Sequence, residues 1–118
     1  MEIRTKRIYE PPAADDGYRV LIDGMWPRGI SRERGAVDDW ARELAPSAEL
    51  RRWYAHEPAR FHEFDRRYRA ELGAQRERLT DLRRRSRSGV VTLVFAARDA
   101  EHSNAAVLAD VLRRGISR

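Results

Sequence analysis

The chain contains no cysteine. That absence excludes a disulfide framework, a zinc ribbon and a thiol nucleophile. Lysine is nearly absent too: 23 of the 24 basic residues are arginine, and Lys6 stands alone. A bias of that kind commonly reflects genomic base composition and identifies no partner. No apolar run approaches the roughly 20 residues of a bilayer span. The segment Met1-Glu-Ile-Arg-Thr-Lys-Arg7 also lacks the apolar core of a secretory signal. These absences predict a soluble, cytoplasmic protein with no membrane partner.

What remains is enough for one core. With 118 residues, 42% of them hydrophobic, the chain is expected to form a single α/β domain over residues 1–118. A chain of that size buries roughly 65% of the surface it exposes when unfolded. The formal net charge is +5, but it is unevenly placed: residues 51–88 hold 12 arginines and 6 acids, leaving the rest slightly acidic. The expectation is a basic helical exterior, remote from any site.

Two segments read as buried strands, Tyr18–Asp23 and Val90–Ala96, both short, β-rich and bounded by turn residues. The second is almost wholly apolar, which suits a strand covered on both faces in a parallel sheet. Ile3–Tyr9 is more polar and reads as an edge strand. The 65 or so intervening residues read as helical. Ser47 is an expected N-cap for a helix carrying Leu50, Trp53 and Tyr54 on one face. Pro58 suits the first position of the next helix. That helix aligns Phe61, Phe64, Tyr68 and Leu72, with Leu79 and Leu82 continuing beyond a break at Gly73. Glu63/Arg67, Asp65/Arg69 and Asp81/Arg85 are i,i+4 pairs for a solvated face, and Arg83–Ser88 closes the helix. A final amphipathic helix covers Asn104–Arg114 and stops at Gly115. The order implies a small, mainly parallel central sheet flanked by helices, with a helical crossover joining the two apolar strands.

In open parallel sheets, ligands bind in the crevice beyond the carboxyl ends of the strands. Those ends read Asp23-Gly-Met-Trp-Pro-Arg-Gly29 and Ala97-Arg-Asp-Ala-Glu-His-Ser-Asn104. Asp23 is either a general acid–base group, or holder of a substrate hydroxyl, or a carboxylate capping the next turn. Arg28 presents a fork to a carboxylate or phosphate, or forms a surface ion pair. Trp26 is a stacking wall or a core residue. Arg98 and Asp99 are site residues or a mutually neutralising pair. His102 is the one histidine near a strand end and a candidate proton carrier. Ser103 or Asn104 would cap the helix that follows, whose N-terminus favours an anion. His56 and His62 lack the spacing of a metal motif, so no metal is expected. The absence of a Gly-rich phosphate or dinucleotide loop gives no reason to expect a cofactor.

The run Asp16-Gly-Tyr-Arg-Val-Leu-Ile-Asp-Gly-Met-Trp-Pro-Arg-Gly29 resembles the WPRG-containing signature of domain-of-unknown-function family 488, in its YeaO-like branch. Leu44-Ala-Pro-Ser47, Thr92–Asp99 and Glu101-His-Ser-Asn-Ala105 extend the resemblance along nearly the whole chain. It implies a compact α/β fold with motif residues crowded at the strand ends. Carried over by motif, the candidate site comprises Asp23, Trp26, Pro27, Arg28, Gly29, Ser47, Asp99, His102 and Asn104. On the reading of the strand ends given above, Asp23, Asp99 and His102 are the candidate catalytic groups. Trp26, Arg28, Ser47, Arg98 and Asn104 would bind substrate. Gly24 stands where the family usually has Arg, which removes a cation, and Ser103 stands where Asn is common.

The residues therefore point to a pocket for a small anionic or polar molecule, with the reaction and oligomeric state unspecified. Two alternatives stand beside it. One is a nucleic-acid-binding module using the Arg-rich helices of 51–88. The other is an interaction subunit docking through Trp53-Tyr54.

Overall fold

The computed structural model describes residues 1–115. Its centre is a four-stranded, all-parallel sheet in the order β1-β4-β2-β3. The strands are β1 (Glu2–Arg7), β2 (Tyr18–Leu21), β3 (Asp39–Trp40) and β4 (Val90–Phe95). The helices are α1 (Arg32–Gly35), α2 (Ala48–Tyr54), α3 (Phe61–Leu72), α4 (Arg76–Ser88) and α5 (Asn104–Arg114). β1 is an edge strand in register with β4 from Glu2↔Val90 to Arg7↔Phe95.

Strand alternation sorts the core into two faces. Val20 and Ile22 of β2 and its extension join Val91, Leu93 and Phe95 of β4 in a large cluster with α2, α3, α4 and α5. Leu21 and Val94, at the intervening positions, belong to a smaller cluster with Ile8 and Ile30, closed by Trp26, Val37 and Trp40. The apolar β4 is thus covered on both sides, but unequally. Four helices pack one face; the segment 24–41, with the single turn of α1, covers the other.

The expected helix signals are in place. Ser47 Oγ accepts from Leu50 N at 3.1 Å and caps α2. Pro58 opens a 3₁₀ turn, Pro58–Arg60, that runs straight into α3. The break at Gly73 is a further 3₁₀ turn, Gly73–Gln75, between α3 and α4. Glu63–Arg67, Asp65–Arg69 and Asp81–Arg85 all pair at i,i+4. Two elements carry no sequence signal, α1 and β3, because four and two residues are too few to show a period. The β2 strand ends at Leu21, although Ile22 N still donates to Val94 O at 3.1 Å.

The smaller face also holds a buried charge network. Asp16 Oδ2 accepts from Arg19 Nη1 at 2.6 Å and from Ala13 N at 3.0 Å, while Lys6 Nζ lies 3.1 Å from Oδ1. Arg19 spends its remaining donors on Gly35 O and Ala36 O, at 2.7 and 3.0 Å, which fixes the end of α1 against β2. Asp16 O accepts from Thr92 Oγ1 at 2.6 Å. The chain passes so close to β4 here that a Cβ on Gly17 would stand 2.3 Å from Val90 O, and φ is +66°. Only glycine tolerates both conditions. Burial opposes ionisation of Asp16, but the hydrogen bonds from Ala13, Lys6 and Arg19 outweigh it and hold the carboxyl below its ordinary value of 3.8.

Removing one partner of a buried pair strands the other. Asp16→Ala should cost about 3–5 kcal/mol in urea unfolding. Because the folded-state pKa is depressed, the wild type should also lose stability as pH falls below 3.8 through the folded value, a slope the variant lacks. A loss under about 1 kcal/mol would contradict the assignment.

Candidate functional site

β2 and β4 are adjacent and parallel, so the loops after them open on one edge of the sheet. A cleft of about 800 Å³ lies there. Asp23, Trp26, Arg28, Arg98, Asp99, His102 and Asn104 all line it. Of the residues expected from sequence, only Ser47 is not among the lining residues. Its hydroxyl and N–H both donate to Glu71, at 2.7 and 2.8 Å, tying the start of α2 to the end of α3.

Asp23 forms a latch between three stretches of chain. Its Oδ2 accepts from Ala96 N at 2.9 Å, just past β4. Its Oδ1 accepts from Asn104 Nδ2 at 3.1 Å, at the start of α5, and the same amide nitrogen donates to Ile22 O at 3.1 Å. The backbone of Asp23 contributes too, its carbonyl accepting from Trp40 Nε1 at 2.8 Å. Burial pushes the Asp23 carboxyl above its ordinary 3.8, against the pull of Asn104, Ala96 N–H, Arg51 and His56.

Asp99 and His102 form a second unit on the loop between β4 and α5. Asp99 Oδ2 lies 2.7 Å from His102 Nδ1, and Oδ1 accepts from His102 N at 3.2 Å. The His102 side chain is the main cause of a lowered Asp99 pKa. Tyr54 clamps the loop by donating to His102 O at 2.6 Å, and Phe61 meets the imidazole edge-on at 5.2 Å. Ser103 accepts from Ala106 N at 3.2 Å and caps α5. Its replacement of Asn therefore leaves the cap intact.

Trp26 belongs to both the core and the cleft. Its Nε1 donates to Ile30 O at 2.6 Å, its ring stands at 70° to Trp40 with centroids 5.4 Å apart, and Arg32 covers it at 4.1 Å. A wall held this way is fixed in position.

The principal correction concerns charge. Arg51 and Arg52, assigned by composition to a basic exterior, line the cleft together with Arg28 and Arg98. None of these four makes an ion pair with a described carboxylate. Along α3 and α4, by contrast, Arg66, Arg67, Arg69, Arg78, Arg84 and Arg85 each lie against an acid. The cleft thus holds four arginines against the two carboxylates of Asp23 and Asp99. At Gly24, where the family's usual Arg is absent, the Arg51 guanidinium carbon lies 3.9 Å from where a Cβ on residue 24 would stand. His56 was missed for another reason. It and Ala55 follow α2 with φ of +56° and +49°, a left-handed pair that no glycine announces.

The Trp53-Tyr54 pair does not form an exposed docking surface. Tyr54 is 6% exposed, and Trp53 is partly buried beneath Arg67 and Arg60. Among the described residues there is no cluster of three or more His, Asp or Glu able to hold a metal. No helix there is long and apolar enough to cross a membrane.

Fold and site together define a small α/β protein with a cationic cleft at the carboxyl edge of a parallel sheet. The family model described as the inactive DUF488-N3 subclade matches residues 2–118, and the chain belongs to the DUF488 family. It is similar to the uncharacterized protein Rv3073c of Mycobacterium tuberculosis, at 46% identity over 93% of this chain and 92% of the relative. It is similar also to the uncharacterized protein YeaO of Escherichia coli K12, at 39% identity over 96% of this chain and 98% of the relative. No solved structure matches it.

Asp23→Ala leaves Ala96 N–H and the Asn104 amide without their acceptor and should cost about 1–3 kcal/mol in urea unfolding. By carbon-detected NMR the Asp23 carboxyl should titrate above 3.8. With its folded pKa raised, stability should fall as pH rises from 3.8 through that value and then level, and Asp23→Asn should abolish this segment. An Asp23→Ala variant as stable as the wild type would contradict the latch.

Proposed function

We propose that the cleft binds a small anion with an apolar or planar body, and that binding rather than turnover is its task. The observation that carries this is the collection of Arg28, Arg51, Arg52 and Arg98 around one cleft without carboxylate partners. Guanidinium groups left unpaired beside an apolar wall suit a carboxylate or phosphate, which offers each of them charge-assisted hydrogen bonds. Met25, Trp26, Pro27 and Phe64 supply the apolar surface. The capped N-terminus of α5 adds a favourable dipole at the same edge.

The preference for binding over catalysis has two supports. Asp23, the best-placed carboxylate for acid–base work, already accepts one hydrogen bond on each oxygen and acts as a structural tie. The matching family model is, moreover, described as inactive. The nucleic-acid reading is disfavoured by the same charge distribution, since Glu63, Asp65 and Asp81 pair with Arg66, Arg67, Arg69, Arg84 and Arg85 on α3 and α4.

A calorimetric and thermal-shift series with inorganic phosphate, benzoate and a nucleoside monophosphate tests the reading. At least one should stabilise the protein, by about 2.7 kcal/mol at 100 times its Kd. Arg28→Ala and Arg98→Ala should each weaken binding by about 10-fold or more. No stabilisation by any of the three would sink the proposal. So would salt-sensitive oligonucleotide binding that is lost on Arg83, Arg84 and Arg85→Ala.

A further inference from the structure

Gly24 sits at the mouth of β2, between the latch residue and the WPRG loop. Its backbone does not require glycine, because it is not among the residues with positive φ. Space is the feature that distinguishes it. A Cβ there would meet Ala45 Cβ at 3.7 Å and the Arg51 guanidinium, both Cζ and Nη2, at 3.9 Å. Those are ordinary contacts for one carbon, and any atom beyond Cβ on that side would have to enter the volume the guanidinium occupies.

Arg51 stands four residues along from the Ser47 cap, on a short helix fixed at its start by Ser47 and at its end by Tyr54. Its guanidinium has no carboxylate within ion-pair distance, and its charge acts on Asp23 at the floor of the cleft. Arg51 is exposed and has no carboxylate to fix it, so the size of residue 24 is one of the constraints on where its guanidinium rests.

We propose that Gly24 is a specificity-determining residue: by lacking a side chain it keeps Arg51 over the floor of the cleft, where the guanidinium binds the anionic group of the ligand. The proposal rests on the anion-binding reading and adds which cation does the binding and what keeps it there. The ligand class that follows is a carboxylate or phosphate monoester small enough to bring its charged end down to Gly24. Arg28 and Arg98, on the flanking loops, then serve the outer part of the cleft.

The test uses the full chain, with inorganic phosphate and benzoate as probes. The variants are Gly24→Ala, Gly24→Leu, Arg51→Met and the Leu/Met double variant. Two quantities are read: the Kd of each probe by calorimetry, and the titration midpoint of the Asp23 carboxyl by NMR. Gly24→Ala, whose Cβ would stand 3.9 Å from the guanidinium, should weaken binding and raise the Asp23 midpoint less than Gly24→Leu does. Gly24→Leu and Arg51→Met should each weaken binding by about 10-fold or more and raise the Asp23 midpoint. The double variant should lose no more than either single one, because both remove the same contact.

Wild-type affinity and an unmoved Asp23 midpoint in Gly24→Leu would overturn the proposal. So would additive losses in the double variant. If neither probe binds the wild type, the anion-binding reading fails by itself, and the NMR midpoints still decide where Arg51 sits: a rise in both Gly24→Leu and Arg51→Met supports the placement, and no rise in Gly24→Leu overturns it.

Discussion

A carboxylate at the end of a strand holds the carboxyl edge of this protein together. Asp23 takes a hydrogen bond from the backbone just past β4 and another from the first residue of α5. The Asn104 amide that reaches it also reaches Ile22 O, so the ends of β2 and β4 and the start of α5 are fixed relative to one another. Everything that lines the cleft is carried on those segments or packed against them. The cost is a carboxylate kept partly out of water, visible in its raised pKa. A group whose oxygens are committed in this way shapes a site more readily than it reacts in one.

The two faces of the sheet explain why the latch is needed. Four helices bury the larger face, and hydrophobic contact is the main force that orders them. The smaller face has one turn of helix and a few apolar residues. Polar ties take over there: Asp16 binds Lys6 and Arg19, and Arg19 in turn grips the end of α1. The covering segment 24–41 is thereby held at its far end by the Asp16–Arg19 network and at its near end by Trp40 on Asp23 O. The cleft lies at that near end, where the two kinds of packing meet.

Much of the fold was legible because its signals are local and periodic. The buried run of β4, the stripe Phe64–Tyr68–Leu72, the Ser47 and Ser103 caps and the break at Gly73 each follow from spacing or from one residue's chemistry. Seven of the eight candidate site residues line one cleft because two parallel neighbours must open on the same edge. Ser47 lies outside the cleft lining and bonds to Leu50 N and Glu71, a role that sequence does not separate from substrate binding. Arg51 and Arg52 were missed for a tertiary reason. Composition assigns a helix's arginines to its exterior, and only the packing of α2 beside the strand ends reveals that two of them belong to the cleft. The arginines therefore differ in setting: Arg67 and Arg78 on α3 and α4 lie against acids, whereas the four at the cleft have no ion pair with a described carboxylate.

That division is the centre of the account, and side-chain NMR of the arginines during an anion titration tests it most directly. With phosphate or benzoate added, the Nε–H signals of Arg28, Arg51, Arg52 and Arg98 should shift together with the backbone amides of Ala96 and Asn104. Those of Arg66, Arg67 and Arg84 on the outer helices, each paired with an acid, should stay in place. Shifts concentrated on the outer arginines, with the cleft signals unmoved, would contradict it.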